Sequence, residues 1–230
     1  MKMVHRIGLI FLVLQVVFYG AEGQNLNFSR LNSNDGLSSN TIYDILKDHS
    51  GLMWFATEDG LNRFDGSHYA VYRNHPDDSS SLQANEVLAL HEDKAGNLWV
   101  GTGGGSLSLY DRKLDRFIHL KARDTRGFIR NNVIKSIESD FKGRIWVATF
   151  NGVNIVDPRT LQVTDFLFNG KDPFKISTLC LFEDSRQRIW IGTNEGLFVY
   201  NPKDGMFSGY VQNHCCPIKL LKGRLGRPFF

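Results

Sequence analysis

The sequence predicts an all-β protein made of four-stranded antiparallel sheets, one for each copy of a repeat, and three observations support this prediction. The four tryptophans of the 230-residue chain recur every 44 to 47 residues, and a regular period of this length indicates a repeat architecture. Short apolar segments alternate with turns rich in Asp and Gly around each tryptophan. Apolar residues within these segments are two apart rather than about 3.6 apart, which favours strands over helices.

Each copy begins with a short apolar strand and a tight turn. The first strands are predicted at 42–46, 87–90, 134–137 and 179–182. An Asp stands six residues before each Trp, and a Gly stands three residues before it in the first three copies: Asp48, Asp93, Asp140 and Asp184, with Gly51, Gly96 and Gly143. An Asp that caps turn amides and a Gly in the left-handed conformation are typical of hairpins. Gln187 replaces this Gly in the fourth copy, so that turn is expected to be strained or of another type.

The remaining three strands of each copy follow the same pattern. The tryptophan strands are predicted at 53–57, 98–102, 145–149 and 189–193, and the third strands at 61–64, 107–110, 153–156 and 197–200. The second turns are expected to end at Gly60, Gly105, Gly152 and Gly196, with Ser106 as an extra residue. The fourth strands have aromatic or apolar residues three apart, at 69 and 72, 117 and 120, 163 and 166, and 207 and 210.

Four short strands joined by tight turns, and repeated, predict the blades of a β-propeller. The tryptophans and the fourth-strand aromatics are expected to fill the space between neighbouring blades. The blades are placed at 32–76, 77–122, 123–168 and 169–213, after a leading outer strand at 26–31. Four blades predict a partial or open propeller.

The two ends of the chain differ from the repeats. Lys2 and Arg6 precede the apolar run 7–19, and small residues follow it, which predicts a cleavable signal peptide at 1–23 and an exported mature chain without a membrane span. An uncleaved anchor is the alternative, although the run is shorter than the roughly 20 residues that a transmembrane helix needs. Residues 214–230 lack the repeat pattern and form either an aberrant or a genuine tail.

Charge and cysteine content exclude several function classes. The formal charge is +3, but residues 24–213 are slightly acidic, which argues against nucleic acid as a partner. Cys180 is predicted to be a core residue within a strand, and Cys215 and Cys216 are adjacent in the tail. These cysteines and the scattered histidines form no metal-ligand spacing, so neither a metal nor a cofactor is expected. The glycine run 101–105 lacks the Lys-Ser/Thr ending of a phosphate-binding loop and is expected to be a turn.

One segment shows the repeat most completely: Asn85-Glu86-Val87-Leu88-Ala89-Leu90-His91-Glu92-Asp93-Lys94-Ala95-Gly96-Asn97-Leu98-Trp99-Val100-Gly101-Thr102. It resembles the regulator-propeller repeat of bacterial hybrid two-component sensors, and the resemblance covers about residues 24–213. Ile176 departs from it, since the first three copies have an Asn there. The resemblance implies the periplasmic sensor part of a Bacteroidetes-type hybrid two-component sensor histidine kinase. It further implies oligosaccharides as ligands that regulate polysaccharide utilisation. The two unpaired stacking faces of a four-blade ring predict further blades or another copy of the chain as partners.

A ligand is expected on one face of the blades, because alternating strand directions bring the second turns and the inter-blade loops together. The candidate ligand-binding residues on this face are Asn40, Asp59, Asn85, Asn132, Phe150, Asn151, Asn194 and Glu195, since amides and carboxylates bond sugar hydroxyls and an aromatic ring stacks on a sugar. Alternatively these residues, the repeated Asn above all, only bond the backbone of their own turns. No catalytic pair stands out and no kinase motif is present, so the chain is not expected to be an enzyme. The alternatives are a glycan-active propeller hydrolase or lyase, a protein-interaction module and a non-functional fragment.

Overall fold

The computed structural model describes residues 30–120, 127–166 and 176–210, and within them sixteen strands form four antiparallel sheets of four strands each. In each sheet the strand order follows the chain, which confirms the predicted all-β fold. The predicted signal peptide, the tail 214–230 with Cys215 and Cys216, and most of the predicted leading strand lie outside the described residues. Arg30 and Leu31, the described end of that leading strand, belong to no strand.

The strand bounds agree closely with the sequence prediction. The first sheet contains β1 (Ile42–Lys47), β2 (Met53–Thr57), β3 (Gly60–Phe64) and β4 (Tyr69–Tyr72). The second contains β5 (Val87–Glu92), β6 (Leu98–Thr102), β7 (Leu107–Asp111) and β8 (Arg116–Leu120). The third contains β9 (Ile134–Ser139), β10 (Ile145–Thr149), β11 (Gly152–Val156) and β12 (Val163–Phe166). The fourth contains β13 (Thr178–Glu183), β14 (Ile189–Thr193), β15 (Gly196–Asn201) and β16 (Met206–Tyr210). A short 3-10 helix at Ser33–Asp35, which was not predicted, precedes β1.

Every first strand contains a β-bulge at the same place. The register with the second strand skips one residue, which is Tyr43 in β1, Leu88 in β5, Lys135 in β9 and Leu179 in β13. A bulge leaves one residue out of the ladder and increases the local twist of the strand. The first strands of successive sheets, which lie next to one another, therefore share a common distortion that the alternation of apolar residues did not reveal.

Apolar side chains fill the space between successive sheets, as predicted. Three clusters form the core, and each joins one sheet to the next. Trp54, Trp99 and Trp146 are fully buried in these clusters, whereas Trp190 in the last described sheet is partly exposed. Cys180 is buried, as expected. Each sheet thus buries one face against its neighbour, which is the packing of propeller blades, and the four sheets are called blades below.

The Asp of each first turn connects the turn to the tryptophan. In the third blade, Asp140 Oδ1 accepts hydrogen bonds from the backbone N–H groups of Lys142 and Arg144. Its Oδ2 accepts one from the Trp146 indole Nε1 at 3.0 Å and one from Arg144 Nε at 2.7 Å. The equivalent carboxylates contact Trp54, Trp99 and Trp190 at 2.8, 3.0 and 2.9 Å. The predicted capping role is therefore confirmed, and the constant six-residue spacing is explained by the indole contact.

In the first blade, the Arg that pairs with the Asp of the first turn comes from the second blade. Leu52 stands where the third and fourth blades have an Arg, and Arg112 of the second blade reaches Asp48 Oδ2 at 2.7 Å instead. The same guanidinium group contacts Glu92 Oε1 at 2.7 Å, and Glu92 also accepts from the backbone N–H of His49. Burial opposes the ionisation of Asp48, but hydrogen bonds from Trp54 and Arg112 outweigh it and lower the pKa of Asp48. This ion network joins the two blades on the side of the first turns.

Gln187 adopts the left-handed conformation that glycine has in the other three blades. Its φ is 65°, and its N–H bonds the Asp184 carbonyl at 2.8 Å, as the equivalent glycine N–H groups bond their Asp. The turn is therefore strained rather than of another type. We expect Gln187→Gly to raise the free energy of unfolding by roughly 1 kcal/mol, because a left-handed non-glycine residue costs about that much. Urea denaturation measures the change, and the reverse substitution Gly143→Gln is the control, since it should destabilise by a similar amount.

Candidate functional site

The second turns and the inter-blade loops meet on one face, as the sequence predicted. The N–H of Glu58 bonds the Thr41 carbonyl within the first blade at 3.1 Å, and the N–H of Gly60 bonds the Asn85 carbonyl of the second blade at 2.7 Å. The N–H of Ser106 likewise bonds the Asn132 carbonyl of the third blade at 2.9 Å. This face is called the loop face below. Its backbone groups are paired with one another, so it is a pre-formed surface.

The repeated Asn side chains of the loop face bond the protein itself. Asn40 Oδ1 accepts from the Ser33 N–H at 3.0 Å, and Asn132 Nδ2 donates to the Gly104 carbonyl at 2.9 Å. Asn85 Oδ1 accepts from the Asn74 N–H at 2.8 Å. These contacts hold the loops in place. Their role in binding a ligand stays a prediction.

The other predicted site residues are spread over the second turns of three blades. Asp59 forms an ion pair with Arg73 at 3.0 Å and accepts from Asn85 Nδ2 at 3.2 Å. Phe150 is exposed, and Lys135 Nζ lies 4.7 Å from its ring centroid. The remaining three residues bond through their backbone N–H groups: that of Asn151 donates to Thr149 Oγ1, that of Glu195 to Thr193 Oγ1, and that of Asn194 to the Ser177 carbonyl. Of the eight residues, Asn85 and Asp59 thus bond each other directly, and a ligand-binding role for the eight stays a prediction.

A groove on the loop face was not predicted. It has a volume of about 580 Å³ and lies between the connection from β4 to β5, the turn from β6 to β7, and β8. The connection is fixed against the second blade, because the Ser80 carbonyl accepts from the Phe117 N–H of β8 at 2.8 Å and Leu82 is fully buried. The volume of the groove falls within the roughly 300 to 1,000 Å³ that is usual for small-molecule sites.

The lining of the groove is mainly polar. Gln83, Asp78, Ser106, His119 and Asn132 all contribute to it, so that Asn132 is the one predicted site residue found there. Hydrogen bonds from the Ser80 side chain and backbone lower the pKa of Asp78, which is therefore ionised. Burial lowers the pKa of His119, although the backbone carbonyls of Ser79 and Ser81 partly oppose this. The imidazole is thus expected to be neutral at pH 7.

The glycine turn beside the groove corrects one sequence assignment. The sequence placed Gly105 at the end of this turn, but Ser106 occupies the position that Gly60, Gly152 and Gly196 have in the other blades. The Ser106 carbonyl accepts a hydrogen bond from Thr102 Oγ1 at 3.0 Å, as the Gly60 carbonyl does from Thr57 Oγ1. Its φ is 72°, which costs a non-glycine residue roughly 1–2 kcal/mol. Its Oγ is also buried without a hydrogen-bond partner, which costs a further ~1–3 kcal/mol.

The sequence interpretation also missed the role of the Thr that ends each second strand. Thr57, Thr149 and Thr193 bond the glycine carbonyl across their turn through Oγ1, at 2.8, 3.1 and 2.9 Å. The recurrence of Thr at this position was the available signal.

Among the described residues, no group of three or more His, Cys, Asp or Glu side chains is arranged to bind a metal ion. The same residues contain no helix of the length and apolarity that crossing a membrane requires.

Comparison with known proteins identifies the repeats. Residues 36–59, 81–104 and 173–195 match the family described as two component regulator propeller. Over 62 residues the chain is 44% identical to histidine kinase P4 of Formosa agariphila, a match that spans 27% of this chain and 4% of that protein. The chain therefore corresponds to a small part of this relative.

Solved structures show the same fold. The extracellular domain of a hybrid two-component system from B. thetaiotaomicron is 24% identical over 78% of this chain and 31% of its own length, with a TM-score of 0.57. The extracellular domain of a one-component system from the same organism is also 24% identical. This match covers 77% of this chain and 25% of that domain's chain, with a TM-score of 0.62. A streptogramin B lyase is 14% identical over 77% of this chain and 56% of the lyase chain, with a TM-score of 0.58. Three segments of the chain thus match the two component regulator propeller family, and the chain has the same fold as these solved structures.

Proposed function

We propose that the chain is a ligand-sensing propeller segment of a two-component sensor, exported to the periplasm, and that its ligands are oligosaccharides which regulate polysaccharide utilisation. The observation that supports this most is the polar groove on the loop face. Sugars present many hydroxyl groups, which bond the amide, hydroxyl and imidazole groups of such a lining. The family match and the kinship to a histidine kinase supply the signalling context.

The proposal assigns binding without turnover to this chain. The single acid of the groove lining among the described residues is Asp78, whereas general acid–base cleavage of a glycosidic bond ordinarily uses two convergent carboxyl groups. Lyases share this fold, so turnover has to be measured directly. Product analysis of each glycan after incubation with the chain would reveal cleavage, which would contradict the proposal.

The exposed side of the first blade suits another propeller blade as its partner. Ile45 in β1 is 54% exposed, whereas its equivalents Leu90 and Ile137 are 5% and 1% exposed because a preceding blade covers them. An exposed apolar strand of this kind is typical of an interface. We propose that this surface packs against a further blade, supplied by the remainder of a longer protein or by another copy of the chain.

One experiment tests both parts of the proposed function. The solution mass and the melting temperature of the purified chain are measured with and without a panel of neutral, uronate-containing and sulfated oligosaccharides. We expect at least one glycan to raise the melting temperature in a saturable manner, because a ligand that binds only the folded state stabilises it. No response across the panel would contradict oligosaccharide sensing. A monomeric mass at high concentration would exclude another copy as the partner.

A further inference from the structure

The second blade contains a serine where the other three blades have glycine. Ser106 is 2% exposed and adopts a left-handed φ of 72°, and its Oγ has no hydrogen-bond partner. Glycine at this position would avoid both the conformational strain and the buried unpartnered hydroxyl group. Local departures that cost stability concentrate at functional sites, so a function for the Ser106 hydroxyl has to be considered.

Ser106 shares the groove with a second polar group that lacks a well-formed partner. His119 of β8 also lines the groove, and its Nδ1 lies 2.8 Å from Ser108 Oγ. Its Nε2 is buried without a hydrogen bond of good geometry, although the carbonyls of Ser79 and Ser81 lie near the ring. Ser106, in the turn from β6 to β7, and His119, in β8, therefore both line the groove, and each has a buried polar atom without a well-formed hydrogen bond.

The electrostatic character of the groove indicates the class of ligand. Of the described residues that line it, none is Lys or Arg, and Asp78 is the single carboxylate. A carboxylate or sulfate group on the ligand would therefore meet no Lys or Arg in the described lining and would share the groove with the Asp78 carboxylate, beside which His75 is the one other titratable side chain apart from His119. Ligand hydroxyl groups, which both donate and accept hydrogen bonds, would suit both Ser106 Oγ and His119 Nε2.

We propose that the groove beside the second blade is a subsite for one uncharged sugar unit, and that the Ser106 hydroxyl and the His119 imidazole are its polar contacts. This inference rests on the proposed function. It narrows the proposed ligands from oligosaccharides in general to uncharged ones, and it places one sugar unit in the groove beside the second blade. The site lies at the edge of the loop face, since β8 is the outermost strand of its sheet. Its hydroxyl contact, Ser106, is the residue that stands where the other three blades have glycine.

Two substitutions separate the hydroxyl group from the backbone conformation. Ser106→Ala removes the hydroxyl and keeps the left-handed strain, whereas Ser106→Gly removes both. We expect each variant to bind the neutral glycan about tenfold more weakly, the loss that one hydrogen bond accounts for. Ser106→Gly should melt at least about 4 °C higher than the original chain, because the strain and the buried unpartnered hydroxyl group are both removed. Isothermal titration calorimetry and thermal denaturation measure the two effects.

The outcomes distinguish this inference from the proposed function. If a neutral glycan binds the original chain and both variants equally well, oligosaccharide binding stands and the subsite at Ser106 is wrong. If only uronate-containing or sulfated glycans bind, the inferred preference for uncharged sugars is likewise overturned.

A measurement on the unsubstituted chain gives an independent check. The ¹⁵N resonances of the His119 imidazole should shift when the neutral glycan is added, while those of exposed His68 should not, and an unmoved His119 would contradict the site.

Discussion

Asp140→Ala should be among the most destabilising single substitutions in the described part of the chain, lowering the free energy of unfolding by about 3 kcal/mol. The Asp140 side chain is fully buried, and it accepts hydrogen bonds from two turn N–H groups, from Arg144 and from the Trp146 indole. Its loss would leave several donors unpaired, including the indole N–H, which is buried in the core. Urea denaturation followed by tryptophan fluorescence measures the change.

Asp184→Ala provides the matched control for this prediction. Asp184 makes the same set of contacts in the fourth blade, but its side chain is 15% exposed and Trp190 is partly exposed. Water can therefore replace part of the lost bonding, and we expect a cost about half as large. Equal costs at the two positions would contradict the view that burial of the Asp–Trp contact determines its contribution.

Trp99→Ala should lower the free energy of unfolding by about 4 kcal/mol. Trp99 is fully buried between the second and third blades, where it belongs to the cluster that contains Ile134, Ile137 and Val147. Removal of the ring would open a cavity at the contact between two blades and would leave Asp93 without its indole donor. Calorimetric and chemical denaturation both report this loss.

Trp99→Phe separates packing from hydrogen bonding at the same position. Phenylalanine keeps most of the apolar contact area and removes the N–H donor to Asp93. We expect the phenylalanine variant to recover more than half of the stability that alanine loses. A phenylalanine variant as unstable as the alanine variant would show that the Asp–indole bond, rather than packing between blades, dominates at this position.

The strands could be predicted well because the repeat marks their ends. Trp99 and the turn residues on either side of it recur at constant spacing, and all four second strands agree with the structure at both ends. The first strands are one or two residues longer than predicted. They end on the polar residues Lys47, Glu92, Ser139 and Glu183, so the apolar pattern ends before the strand does.

The candidate site could be predicted only in part. Strand direction alone indicated that second turns and inter-blade loops share a face, and hydrogen bonds such as that from Gly60 to Asn85 confirm it. The groove depends on the approach of the Ser80 segment to β8, a contact between positions far apart in sequence that no repeat pattern encodes. Ser106 was recognised as an extra residue, but its left-handed conformation and its unpartnered hydroxyl become visible only in three dimensions.

The most direct test of the account is the crystal structure of the chain with the oligosaccharide that raises its melting temperature most. We expect a sugar unit in the groove of the second blade, with ligand hydroxyl groups within hydrogen-bonding distance of Ser106 Oγ and His119 Nε2. A ligand bound beside Phe150, or on the side of the first turns, would contradict the assignment of the groove as the sensing site.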